Sequence, residues 1–380
     1  MTEHLFIKNI LPPYRINLFN KLESIAVKRD NFTFRVFVFN RNEKGRSWYL
    51  KEDDLSFSHI IDDDGFYFNF KNFHIRFNPR LYRTIYRYKG AHLILGSSWN
   101  DFNILSVCVL KRLKLIKNTV SFWTEANYNS IYKTSKPDSS IKKALRRWVL
   151  NTCDGYFFIP GETSRITLFE KWGIEMRPVI KFPNLVSEEF YNIDQSKNLF
   201  RKQPDLEMII VARHMESSKG ILNFLSRIDS FDEIRIKLAG VGDDTKRYQD
   251  FVAEKGLEDK VIFLGELDVP ELIEQLTASH LFILPSYHDQ SPLSVVEAAI
   301  AGLPLLVSER CGNHPELIRH GVNGYTFDPT NSKQINHFLN EIRSKSSAEL
   351  LKMGRSSRDL AIESYDPNIV LNSAIEALSQ

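Results

Sequence analysis

A chain of 380 residues, 43% hydrophobic and 26% charged, is too long for one ordinary core and too apolar for disorder. It has no internal repeat or low-complexity tract, which excludes solenoid and fibrous architectures. The net charge of +3 conceals an asymmetry: residues 1–180 carry 29 Lys and Arg against 17 Asp and Glu, and residues 181–380 carry 21 against 30.

The first half offers "HLFIKNI", "FTFRVFVFN", "HLILGSS", "TVSFWTE" and "GYFFIPG" as strands. Helices are expected among them at about 14–29, 100–115, 138–152 and 162–172. A boundary falls in "FPNLVSEEFYNIDQSKNLFRKQPD", near 183–205. The second half is more regular, with strands at 208–213, 234–240, 260–265, 281–286 and 304–308. Helices alternate with them at about 220–228, 245–256, 269–279 and 293–301, and a last amphipathic helix spans about 364–379. Short, continuous apolar runs alternating with helices predict parallel sheets covered on both faces, here two βαβ domains in tandem.

Cys108, Cys153 and Cys311 are scattered, without the spacing of a disulfide framework or zinc site, and read as reduced, buried thiols. The apolar run of "MTEHLFIKNILPP" is too short for a signal peptide, and no stretch approaches the roughly 20 apolar residues that cross a bilayer. The expectation is a soluble, cytoplasmic protein.

Ligands of open parallel sheets bind beyond the carboxyl ends of the strands, so the loops that follow strands carry the functional signal. "MIIVA" is followed by "RHMESSKG", which sets Arg213 at a strand end and Lys219 at the next helix start. Two cations and a helix N-terminus there would converge on one anion; the alternative is a pair of solvated loop cations. "LFILPS" is followed by "YHDQSPLSVVEAAIAGLPLLVS". Asp289 lies in that loop, Leu293 and Ser294 open a helix whose first N–H groups lack intrahelical partners, and Glu297 stands one turn in. Those amides would favour a phosphate, Glu297 could accept from a vicinal diol such as a ribose, and Asp289 would face what hangs from the phosphate. A helix-entry acid alone is more often a cap.

The run "PSYHDQSPLSVVEAAIAGLPLLVSERCGNHPELIRHGVNGYTFDP", with "VARHMESSKGI" and "PNLV" before it, resembles the signature of family 4 retaining glycosyltransferases of the GT-B fold, bacterial surface-polysaccharide type. The order and spacing agree over roughly 176–330. The resemblance implies two Rossmann-like domains with parallel sheets facing a cleft. Residues 1–183 would bind the acceptor and 184–363 the nucleotide-sugar donor, with 364–380 crossing back to the first domain. It implies Arg213 and Lys219 on the donor diphosphate, Glu297 on the ribose, and Asp289, where the family usually has glutamate, facing the sugar. It implies no cofactor and no metal, a donor of UDP or GDP type, and a glycan or lipid-diphosphate acceptor in O-antigen, capsule or similar assembly. A non-catalytic nucleotide-sugar or glycan binder and a sugar-nucleotide epimerase of the same fold are the alternatives.

The first domain departs from that pattern. A Gly-Gly loop is expected after the first strand, whereas this chain has "ILPPYRINLF", whose Arg15 could supply charge to the donor or be a surface residue. In "SFWTEANYNS", Glu125 ends an aromatic strand and could bind or deprotonate the acceptor hydroxyl, or cap the segment that follows. Gly240, in the strand-end "GVG" at 240–242, could line the nucleotide pocket, although the motif is too short for a dinucleotide fingerprint. "DDDG" at 62–65 reads as a solvated turn before it reads as a metal site. Residues 71–90 hold six Lys or Arg and five Phe or Tyr with no acid. With the +12 of the first half, they point to peripheral binding at the anionic inner face of the cytoplasmic membrane rather than to nucleic acid.

Overall fold

The computed structural model describes residues 2–41, 49–70, 73–128, 138–194 and 205–379, and within the 66–77 hairpin the side chains of Phe66, Phe68, Arg76 and Phe77 alone. Lys71 and Asn72 of the basic segment, 129–130 of the loop after "SFWTE", and 195–204 of the expected boundary lie outside the described residues. The chain divides into two compact units: Met1–Ala126, Pro137–Leu185 and Pro367–Gln380 in the first, Asn127–Lys136 and Val186–Asp366 in the second.

The first unit is built on a parallel seven-stranded sheet. Its strands are β1 (Glu3–Lys8), β2 (Thr33–Val38), β3 (His59–Ile61), β6 (His92–Leu95), β7 (Val120–Trp123), β8 (Phe157–Ile159) and β9 (Val179–Lys181), with an antiparallel hairpin of β4 (Phe66–Phe70) and β5 (Phe73–Phe77) beside it. The strand order is β3-β2-β1-β6-β7-β8-β9, with Phe6 opposite Val36 on one side and Ile94 on the other. The chain therefore builds outward from β1 in one direction, then returns to its other flank. That reversal marks a topological switch point between β1 and β6.

Aromatic residues fill this core. The Phe6 ring meets Phe19 at 5.2 Å and Phe158 at 6.1 Å edge-on, and Phe182 stacks at 6.1 Å. Truncating a fully buried ring such as Phe19 to Ala costs about 3–5 kcal/mol. Helix α1 (Pro13–Ala26) starts where Pro12 and Pro13 fix the backbone, proline being tolerated where no intrahelical bond is lost. Helices α2 (Pro79–Arg87) and α3 (Phe102–Arg112) follow β5 and β6. The helix Pro367–Leu378 belongs to this unit, placing Leu371, Ala374 and Ile375 in the same core, and Tyr156 donates to the Ala377 carbonyl at 3.1 Å.

The second unit repeats the plan with six strands: β10 (Leu206–Val211), β11 (Ile234–Ala239), β12 (Val261–Gly265), β13 (Leu281–Leu284), β14 (Leu305–Ser308) and β15 (Gly324–Phe327). Their order, β12-β11-β10-β13-β14-β15, puts the switch point between β10 and β13. The helix Leu293–Ile300 is buried on most sides because its residues are small or apolar, and helix Ser347–Tyr365 lies against it.

Sequence reading locates the strands it names to within three residues at either end. It passes over β3, the β4–β5 hairpin, α2, β9, β15 and the helices Ser332–Arg343 and Ser347–Tyr365. Three expectations are corrected. The helix expected at 162–172 is an α-helix only to Ile166 and continues as a π-helical turn over Thr167–Lys171. The final helix begins at Pro367, because proline cannot donate to the preceding turn and Asp366 is extended. At "DDDG" residues 63–64 do form a turn, but Asp62 is buried rather than solvated, accepting from Asn78 Nδ2 at 3.0 Å, while Asp63 pairs with Arg41 at 2.5 Å. All three cysteines are buried and free, and burial pushes Cys108 and Cys153 up to about 12.

Candidate active site

In the second unit the predicted residues gather beyond the strand ends at the β10/β13 switch point. Arg213 follows β10, and the short helix Glu216–Lys219 presents Lys219 at its last position. Gly220 ends that helix with φ +61°, a conformation that L side chains resist, and a Cβ there would lie 3.0 Å from the Pro285 carbonyl. The close approach lets the Ser218 carbonyl accept from Tyr287 N at 2.8 Å and from His288 N at 3.2 Å. The loop after β13 is thereby tied to the loop after β10. Lys219 Nζ then donates directly to Asp289 Oδ2, with both side chains mostly buried.

The Asp289 backbone is fixed as well. Its carbonyl accepts from Gly312 N and from Asn127 Nδ2, both at 3.0 Å, and Asn313 Nδ2 donates to the Pro292 carbonyl at 2.9 Å. Gly312 is required by space, since a Cβ there would sit 1.9 Å from the Gln290 carbonyl. Leu293 and Ser294 open the helix with no side-chain cap, leaving the first amides to another acceptor. One turn on, the Glu297 carboxyl makes no hydrogen bond among the described residues, and burial pushes it up to about 7. Glu297 is half-buried, so its carboxyl takes its donors from water or from a ligand.

Gly240 and Arg213 are also brought together. Gly240 has φ +116°, and its missing Cβ would lie 2.2 Å from the Ala212 carbonyl. The "GVG" loop thus runs along the backbone of 212–214, and Asp243 beyond it pairs with Arg213 at 3.7 Å. Arg213 is more exposed than Lys219 and that contact is loose.

In the first unit the structure joins Arg15 to Glu125. Arg15 Nη2 donates to Glu125 Oε1 at 2.9 Å, Asn184 Nδ2 donates to the same oxygen at 2.9 Å, and Arg15 Nε donates to Asn184 Oδ1 at 3.3 Å. The guanidinium lies 4.9 Å from the centre of the Trp123 ring. Lys8, at the end of β1, is buried with its ammonium 3.8 Å from that ring. Burial, then the Arg15 charge, drives the Lys8 pKa well down, and Glu125 draws it partly back. Gly96 leaves room for it, because a Cβ there would meet Lys8 Nζ at 2.6 Å.

Sequence reading does not single out Lys8 or Asn184. Asn184 lies inside "PNLV", and the signal for Lys8 is a cation inside the buried run "HLFIKNI".

Each unit is a Rossmann-like α/β sheet, and the second sets an ion pair beyond its strand ends, where ligands of such sheets bind. Residues 192–359, all within the second unit, match the family model described as glycosyl transferases group 1. An uncharacterized glycosyltransferase of Methanocaldococcus jannaschii is 29% identical over 155 residues, 40% of this chain and 39% of that protein. The chain spans less than half the length of the curated relatives it matches. Two solved structures resemble it throughout. Anabaena HepE in complex with UDP has a TM-score of 0.72 at 15% identity, covering 100% of both chains. The lipopolysaccharide outer core galactosyltransferase WaaB, in its apo form, has a TM-score of 0.72 at 16% identity, covering 99% of both. These likenesses establish the fold, GT-B.

Proposed function

We propose that the protein is a family 4, retaining glycosyltransferase that moves a sugar from a nucleotide-diphosphate donor, of UDP or GDP type, to a glycan or lipid-linked acceptor in surface-polysaccharide assembly. The observation that carries the reading is the Lys219–Asp289 pair at the head of a helix whose Glu297 has no protein donor among the described residues. An ammonium has three donors, so Lys219 can keep Asp289 and still serve a phosphate oxygen. With Arg213 and the uncapped amides at Leu293 and Ser294 it stabilises the negative charge of the departing diphosphate, and such stabilisation dominates most catalysis of this kind. Glu297 accepts from the ribose hydroxyls, and Asp289 orients the sugar.

Support for the donor class comes from HepE, which is known in complex with UDP, and for the acceptor class from WaaB, a lipopolysaccharide outer core galactosyltransferase. Retention rests on the family resemblance. The reaction needs no metal in this reading, the positive charge being supplied by Arg213, Lys219 and the helix start. In the first unit, Arg15 and Asn184 position Glu125, which fixes an acceptor hydroxyl. The protein works in the cytoplasm at the inner membrane face, approached through its basic half. Among the described residues no helix is long and apolar enough to cross a membrane.

The test is calorimetric titration with UDP- and GDP-sugars, then assay with lipid-linked acceptors in EDTA. Sugar transfer that persists in chelator is the expected result. Isomerisation of the donor without acceptor would reassign the protein as an epimerase, and binding without turnover would make it a binding protein.

A further inference from the structure

The first unit contains a pocket of about 730 Å³ between β2, β3 and α2, lined by none of the candidate active-site residues described above. Four arginines line it: Arg35 from β2, and Arg80, Arg83 and Arg87 from α2. Positions 80, 83 and 87 fall on one helical face, where like charges three and four residues apart repel each other. The protein does little to offset them. Arg80 donates to the Ile61 carbonyl at 3.0 Å, Arg35 reaches Glu3 at 3.3 Å, and Arg87 lies 5.8 Å from the Tyr88 ring; Arg83 has no partner among the described residues. Two acids also line the pocket, Asp62 and Asp64, and Asp62 already accepts from Asn78, so the arginines remain in excess.

Exposed aromatic residues lie on the elements that form the pocket. Phe66 lines the pocket, and Phe66 and Phe68, two residues apart on one face of β4, are each 58% exposed. Tyr86, between Arg83 and Arg87 in sequence, is 56% exposed. Exposed rings beside an arginine pocket suit a ligand that carries phosphate at one end and hydrocarbon at the other.

We propose that this pocket binds the phosphate of an anionic lipid headgroup, with Phe66 and Phe68 entering the interface beside it. The inference builds on the membrane approach proposed above but on none of the donor-site residues. Arginine forks match phosphate oxygens in pairs, and a pocket of this size admits a whole headgroup. A free phosphate would satisfy the arginines and leave the rings in water.

The experiment is co-sedimentation of the full chain with phosphatidylcholine vesicles, with and without phosphatidic acid. Three proteins are compared: wild type, Arg83→Gln with Arg87→Gln, and a control with the same charge change at the exposed Lys117→Gln and Lys143→Gln. Each arginine at an anionic surface contributes about fivefold, so the pocket pair loses about thirtyfold in affinity for phosphatidic acid vesicles. The control loses markedly less, Phe68→Ser weakens binding with no change of charge, and calorimetric donor binding by the pocket variant is unchanged. Equal losses in the pocket variant and the control overturn the proposal in favour of diffuse charge. So does a wild-type protein that does not sediment with vesicles but binds inorganic phosphate, with that binding lost in the pocket variant.

Discussion

The two units solve the same geometrical problem with different chemistry. In each, the sheet reverses beside its first strand, and an ion pair sits beyond the strand ends with its cation from the helix after that strand. In the first unit Arg15 and Glu125 are bound on several sides, by Asn184 twice and by Trp123, over a buried Lys8. In the second, Lys219 and Asp289 have each other, and the neighbouring Glu297 has no partner among the described residues. The first network is filled mostly by its own protein groups, both donors falling on one Glu125 oxygen, which leaves the other for an acceptor hydroxyl. The second retains unused donors and acceptors, which is what a site that exchanges partners with a ligand requires.

The largest difference is expected in acid. The first sheet buries His4 and His92 with their Nδ1 atoms 3.3 Å apart, and His92 Nε2 faces Ser121 Oγ at 2.7 Å. Burial lowers His4 to about 3, with a further contribution from His92, and burial lowers His92 to about 4. Below the ordinary value near 6.5 the unfolded chain therefore takes up protons that the folded sheet refuses. Stability is fully present above about pH 6.5 and falls as pH drops toward 4, by on the order of 3 kcal/mol per histidine. Urea midpoints between pH 7 and 4.5 should fall steeply for wild type and less for His4→Phe, whose ring can stack on Phe32 as the imidazole does. A parallel fall in both proteins would remove the histidine pair as the cause.

Breaking the two ion pairs should separate their roles. Arg15→Ala leaves Glu125 facing a buried cluster, where loss of one partner costs up to about 3–5 kcal/mol, with some relief because both side chains keep a little exposure. Lys219→Ala should disturb folding less and donor binding more, weakening it about ten- to a hundredfold for a charged hydrogen bond of roughly 1.5–3 kcal/mol. Chemical denaturation and donor calorimetry on both variants provide the check. A Lys219 variant that binds donor normally would dismiss the site; an Arg15 variant of wild-type stability would show that the first network is open too.

The same contrast decides what can be read from sequence. The second unit is legible because its site is made of consecutive loop residues: Arg213, Lys219, Asp289 and Glu297 lie in short motifs whose glycines and prolines fix the backbone locally. The first unit assembles Lys8, Arg15, Trp123, Glu125 and Asn184 from distant segments, so neither the Arg15–Glu125 pair nor the burial of Lys8 follows from any local pattern. The parallel sheets are visible as apolar runs. Hidden from sequence are the short edge strands β3, β9 and β15, whose three or four residues leave little periodicity, and the hairpin, whose continuous aromatics obscure alternation.

The smallest effect expected is also the most specific to an open site. Glu297, pushed up to about 7 by burial, is about half protonated at neutral pH in the unliganded protein. A ribose diol donates hydrogen bonds, and the ionised carboxylate is the better acceptor for both hydroxyls. Donor binding should then strengthen as pH rises from about 6 to 8, by up to roughly tenfold, and level off once the carboxyl is ionised. Glu297→Gln keeps the shape, cannot ionise, and should bind more weakly with no such slope across the same range. The comparison variant is Glu125→Gln in the first network, which should leave the slope in place. Donor titrations of the three proteins at several pH values make the distinction. A slope that survives in Glu297→Gln would assign the titration to another group and detach Glu297 from the ribose.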